Sequence, residues 1–128
     1  MTITMDKAMS SEFYDILSAE LRCLINEYDP DTGRRPSKKR MAKKSVIYDV
    51  TNKWIYTQPS VDKAGFVNLS NVKPCVIDIS AKEAAIIKPV LQKALLDFTD
   101  FTVQHPGDLA DDIAKNKIPA IVKLIGTL

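Results

Sequence analysis

Ser10-Ser11-Glu12-Phe13-Tyr14-Asp15-Ile16-Leu17-Ser18-Ala19-Glu20-Leu21-Arg22-Cys23-Leu24-Ile25-Asn26-Glu27-Tyr28 is the stretch on which the fold turns, because it fits two periods at once. Phe13, Ile16, Leu17, Leu21, Leu24 and Tyr28 recur at helical spacing. Leu21, Cys23 and Ile25 alternate instead with Glu20, Arg22, Leu24 and Asn26, as a half-buried strand would. Periodicity leaves both readings open. Asp29-Pro30-Asp31-Thr32-Gly33 then supplies a turn: proline fixes φ, the aspartates can accept from nearby amides, and glycine takes positive φ. Such a turn closes a hairpin or ends a helix equally well.

Beyond the turn, Val46, Ile47, Tyr48, Val50, Trp54, Ile55 and Tyr56 have strong strand preference, and strand is expected between Ser45 and Thr57, although Ile47, Val50 and Trp54 also suit a helix. Residues 58–72, with Pro59 and Gly65, read as a loop. The C-terminal half is plainer. Pro74-Cys75-Val76-Ile77-Asp78-Ile79 is a β-branched run that ends at Ser80, which forms a Ser-x-x-Glu capping box with Glu83. Ile86, Ile87, Val90, Leu91, Ala94, Leu95 and Phe98 follow at helical spacing, with Pro89 expected to bend the helix. After Pro106-Gly107, Asp108 is expected to cap a second helical stretch, and Pro119 can restart helix into Ile121, Val122, Leu124 and Ile125.

Charge is segregated. Seven of the eleven residues from Arg34 to Lys44 are basic (Arg34, Arg35, Lys38, Lys39, Arg40, Lys43, Lys44) and none is acidic. The chain has 18 basic and 16 acidic residues, so the remainder holds 11 against 16, a balance of −5. A cationic run of this density repels itself unless an anion lies nearby, and neutralising phosphates releases condensed counterions. The segment therefore predicts a polyanion contact. A solvated charged loop is the plain alternative. Tyr48, Trp54 and Tyr56 lie nearest it in sequence and could stack unpaired bases, or could simply pack in the core.

A length of 128 residues predicts one domain over residues 1–128. No apolar run approaches a membrane span, and Met1 to Met9 lack the apolar centre of a secretory signal, so a cytoplasmic origin is expected. Cys23 and Cys75 sit among apolar neighbours and are expected as buried free thiols. His105 beside Pro106 gives no catalytic pairing. Asp29, Asp31 and Gly33 echo a calcium loop, but Arg40 stands where a bidentate glutamate belongs. Gly33, Gly65, Gly107 and Gly126 form neither a P-loop nor a dinucleotide fingerprint. Neither an enzyme nor a metal, cofactor or small-molecule substrate is expected.

Taken together, the chain resembles the coat proteins of single-stranded RNA bacteriophages. The likeness lies in Thr2-Ile3-Thr4-Met5, in Ser10-Ser11-Glu12-Phe13-Tyr14 with Glu20-Leu21-Arg22-Cys23-Leu24-Ile25, and in Cys75 to Ile79 running into the Ser80 helix. The resemblance implies an α+β fold: an N-terminal antiparallel sheet over residues 1–79, then two C-terminal helices over residues 80–128 that reach over a partner in an intertwined homodimer. It further implies an icosahedral shell made in the bacterial host cytoplasm, packaging single-stranded RNA in the virion, with repression of translation through an RNA hairpin. In that frame Leu21, Cys23, Ile25, Ile77 and Ile79 face the helices, leaving Arg22, Asn26, Val76 and Asp78 towards RNA. The loop 58–72 would contact other subunits. Ile87, Val90, Leu91, Ala94, Leu95 and Phe98 would form the dimer interface, with Arg22 and Tyr48 joining the basic segment on RNA. A small nucleic-acid-binding regulator with a basic arm is the alternative.

Overall fold

The computed structural model describes residues 1–25, 33, 37–58 and 71–128. It is mostly helical. Strand β1 (Thr2–Met5) leads into helix α1 (Lys7–Leu24), and α2 (Lys38–Ile55) precedes strand β2 (Cys75–Asp78). Helix α3 (Ala81–Gln104) is followed by α4 (Asp108–Asp112), a π-helical turn (Ile113–Lys117) and α5 (Ile118–Gly126). This corrects the expected α+β fold of an N-terminal antiparallel sheet followed by two C-terminal helices: where the sheet was expected, α1 and α2 occupy the chain, and β1 and β2 form a two-stranded ribbon. The turn at residues 29–33, apart from Gly33, and most of the 58–72 loop fall outside the described residues, as does Asn26.

In α1 the helical stripe prevails over the alternating one. Asp6 caps its start, accepting from the Met9 amide at 2.9 Å, and Met9, Phe13, Ile16, Leu17 and Leu24 are buried. A strand would have turned Cys23 and Ile25 inward; both are exposed, Ile25 at 57%. The buried-thiol expectation therefore holds for Cys75 and fails for Cys23.

Helix α2 is the larger departure, since β-branched residues crowd its second half. Ile47, Val50, Thr51 and Trp54 recur at three- and four-residue steps and are buried, so one stripe satisfies the core that a strand would have split between two faces. Burial outweighs a strand preference worth about 1 kcal/mol per residue at most. Trp54 is the anchor. Its indole N–H donates to Ser10 Oγ at 2.8 Å, and its ring stacks on Tyr14 with centroids 4.5 Å apart. Thr51 Oγ1 donates back to the Ile47 carbonyl, so its buried hydroxyl is satisfied within the helix.

The ribbon pairs antiparallel, Thr2 with Asp78 and Ile3 with Ile77, and its alternation buries Ile3, Met5, Cys75 and Ile77 against the helices. A lone pair of strands is marginal in water, so this one depends on that packing. The capping box at Ser80 is formed as expected: the Glu83 amide donates to Ser80 Oγ at 3.1 Å and the Ser80 amide to Glu83 Oε1 at 2.9 Å. Pro89 lies on the exposed side of α3, where the carbonyl it leaves without a donor can meet water, and the helix continues through it.

The α4–α5 segment closes the core with Ala110, Ile113, Ala120, Ile121 and Leu124. Its π turn has a reason. Pro119 has no amide and its ring would strike the carbonyl four residues back; the widened turn, in which the Ile118 amide bonds to the Ile113 carbonyl, moves the backbone aside. Here Lys117 Nζ meets Glu12 Oε1 at 3.0 Å and lies 5.6 Å from the Phe98 ring centre, tying the turn to α1 and α3.

One hydrophobic cluster runs through β1, α1, α2, β2, α3 and α5. Ile87, Val90 and Leu91, expected at a dimer interface, belong to it and are buried by their own chain; Ala94, Leu95 and Phe98 pack against it half-buried. The expectation that two apolar helices need a partner's cover rested on a single sheet beneath them. Helix α1 provides that cover within the chain. No described helix is long and apolar enough to cross a membrane.

Candidate nucleic-acid interface

The basic segment begins a helix. Ser37 caps α2, accepting from the Arg40 amide at 3.1 Å, and Lys38, Lys39, Arg40, Lys43 and Lys44 fill the first two turns. Helical phase then divides them. Arg40 and Lys43 point towards α1: Arg40 Nη2 donates to the Cys23 carbonyl at 2.8 Å, and Lys43 Nζ meets Glu20 Oε1 at 2.8 Å. Arg40 thus holds a carbonyl at the C-terminal end of α1, where a cation is favoured. Lys38, Lys39 and Lys44 are exposed and have no ion-pair or hydrogen-bond partner among the described residues. Arg34 and Arg35 precede them in sequence and lie outside the described residues.

The electrostatics oppose helix stability. A helix N-terminus carries about half a positive charge, and α2 has no acidic residue in its first turn to balance it. Each cation there costs roughly 0.3–1 kcal/mol at low salt. Where a helix end presents free amides and clustered cations together, an anion relieves both.

The outer face of α2 is not uniformly charged. Met41, at 60% exposure, and Tyr48, at 55%, are large apolar side chains left in solvent. With Lys44 and Ser45 they line an open cleft of about 340 Å³. Trp54 is buried and stacked on Tyr14, and Tyr56 is exposed just past the helix, so of the three aromatic candidates Tyr48 alone stands on the exposed face of α2, one turn beyond Lys44. Arg22 is exposed in the last turn of α1. Met41 and Ser45 do not stand out in the sequence. They follow from the i, i+4, i+7 series 41, 45, 48, visible only when the segment is read as helix from Ser37.

A second concavity, about 230 Å³, lies between α1 and α3 and is rimmed by Asp15, Glu20 and Asp97 with Lys93. Its carboxylates make it a poor place for phosphate.

No family of known proteins, no curated protein and no solved structure matches this chain.

Among the described residues, no three of His, Cys, Asp and Glu gather so as to hold a metal ion. His105 is exposed at the end of α3, tilted against Phe101. The resolved pKa displacement is at Glu83, held below its ordinary 4.5 first by the hydrogen bond from Lys53 and then by the Ser80 amide. That serves the start of α3.

Proposed function

We propose that this protein binds nucleic acid through the phosphate backbone, using the exposed lysines at the start of α2. The observation that carries the reading is that Lys38, Lys39 and Lys44 face solvent without partners among the described residues, at a helix end that already repels cations. A solvated surface helix would be expected to place acids there. Arg34 and Arg35 extend the cationic run, and Arg22 adds a charge on the neighbouring helix end. Binding of this type positions the strand without reading its sequence. Among the described residues the two-stranded ribbon offers no broad sheet on which RNA could lie, so the reading rests on the cationic helix end alone.

The test is the salt dependence of binding to a fluorescent oligonucleotide between about 50 and 200 mM salt. Replacing Lys38, Lys39 and Lys44 with Gln should weaken binding at low salt and reduce the slope by roughly 0.7–0.9 for each phosphate that is no longer neutralised. Unchanged affinity and slope in a folded triple variant would overturn the reading.

A further inference from the structure

We propose that the cleft formed by Met41, Lys44, Ser45 and Tyr48 takes one unpaired nucleobase, with Lys44 on the adjoining phosphate, so that the partner is a single strand and not a duplex. The proposal rests on the nucleic-acid reading above and deepens it.

The core does not need these side chains. Ile47, Val50 and Trp54 already meet the apolar demand of α2 on the opposite face, and each is fully buried. Met41 and Tyr48 nevertheless stand exposed about one and three turns into the helix, on either side of Lys44. A phenol ring and a polarisable thioether two turns apart on one helix face line the cleft with apolar surface of the kind on which bases stack. The cleft has room for a base. Polar groups stand ready at its edge. Several hydroxyls elsewhere in the protein bond back to their own helix, as Ser18, Thr51, Thr99 and Thr102 do, but neither Ser45 nor the Tyr48 phenol has a hydrogen-bond partner among the described residues. Both can donate to, or accept from, the edge of a base.

The same face argues against a duplex. A helix that reads a major groove presents arginine, asparagine or glutamine to base edges and cations to the flanking phosphates. Here the outward side carries Lys38, Lys39 and Lys44 for phosphates but Met41, Ala42, Ser45 and Tyr48 where base-reading side chains would stand, and exposed Asp49 follows directly. Pressed into a groove, Asp49 would approach phosphate. In a duplex, moreover, each base face is already covered by its neighbours, so Tyr48 has nothing to stack on. A single strand can lay its backbone along Lys38, Lys39 and Lys44 and turn one base into the cleft.

Three probes separate the terms: a mixed-sequence single strand, the same strand annealed to its complement, and an abasic strand of equal length. The intact single strand should bind about tenfold tighter than the abasic strand, which keeps every phosphate. It should also bind tighter than the duplex. Tyr48→Ala should erase the advantage over the abasic strand while leaving abasic affinity unchanged, and Tyr48→Phe should keep it. Met41→Ala should reduce it in part. Equal binding of intact and abasic strands, with Tyr48→Ala silent, overturns the base pocket while leaving the phosphate reading intact. No binding to any strand overturns both. Binding to phosphatidylserine vesicles in place of all three oligonucleotides also overturns both, since exposed Met41, Tyr48 and lysines would then be serving a membrane surface.

Discussion

Replacing Lys117 with Met should destabilise the protein by about 2–3 kcal/mol. The amine sits 3.0 Å from Glu12 Oε1, and the Glu12 side chain is only 10% exposed while that of Lys117 is 32% exposed. Glu12 Oε2 has no hydrogen-bond partner among the described residues, so the carboxylate depends on this one cation. Removing one member of a buried pair costs about 3–5 kcal/mol because a charge is left without compensation. The value is reduced here because one side of the pair is open to water, which can follow into the gap. Methionine keeps most of the stem volume, so a cavity adds little, although the contact of the ammonium with the Phe98 ring is also lost. Glu12→Gln combined with Lys117→Met removes both charges together and should cost less than Lys117→Met alone, giving a coupling of about 2 kcal/mol in a double-mutant cycle. Urea unfolding followed by fluorescence of Trp54, the chain's one tryptophan, gives each free energy, with circular dichroism confirming that a single transition is observed. Additive single effects would refute the reasoning, since they would mean that Glu12 is solvated without its partner.

Trp54→Phe should cost roughly 2–3 kcal/mol, combining the lost indole bond to Ser10 with a partial cavity beside Tyr14. Adding Ser10→Ala should recover part of that loss, because it removes a buried hydroxyl left with the Cys75 thiol at 3.6 Å as its partner; a further loss, read by circular dichroism, would count against the bond. A second prediction concerns acid. The Glu83 pKa is lowered in the folded protein by Lys53 and the Ser80 amide, so its contribution is present above pH 4.5 and is lost as pH falls through the lower folded value. Glu83→Gln should therefore lower the melting temperature at neutral pH and flatten its decline below pH 4.5; parallel melting curves against pH would show that the bond from Lys53 is worth nothing to folding.

What could be read from sequence depended on whether local signals agreed with one another. At α3 they did: a β-branched run, a capping serine and a glutamate three residues later all place the boundary at Ser80, and the structure has it there. At α1 the helical stripe was visible but shared its residues with an alternating one, and only packing against α2 decides between them. At α2 the signals conflict. Val46, Ile47, Tyr48 and Val50 favour strand when read alone, and the Ser37 cap is followed at the third position by Arg40, where a glutamate would have marked a helix start. Reading that stretch as strand also hid the cleft, because Met41, Ser45 and Tyr48 share a face only at helical spacing. Strands β1 and β2 are separated by more than half of the chain, so nothing local to either could show that they pair with each other.

Helices α2 and α3 begin with the same device and put it to opposite uses. Both have a serine cap whose hydroxyl accepts from the third helical residue, Arg40 in one and Glu83 in the other. At α3 the third residue is an acid that bonds back to the cap, complements the helix dipole, is held ionised by Lys53 and offsets the cation of Lys82 beside it. At α2 the third residue is a cation that turns away to hold the Cys23 carbonyl, while Lys38 and Lys39 add charge that the dipole disfavours. Arg40 is compensated by α1, but Lys38 and Lys39 gain nothing from the described part of the folded chain. Their cost is recovered only when an anion arrives. The lysine variants that weaken oligonucleotide binding should for that reason leave the free protein at least as stable as the parent. That opposition between stability and binding separates an interface from a charged helix end that is merely solvated.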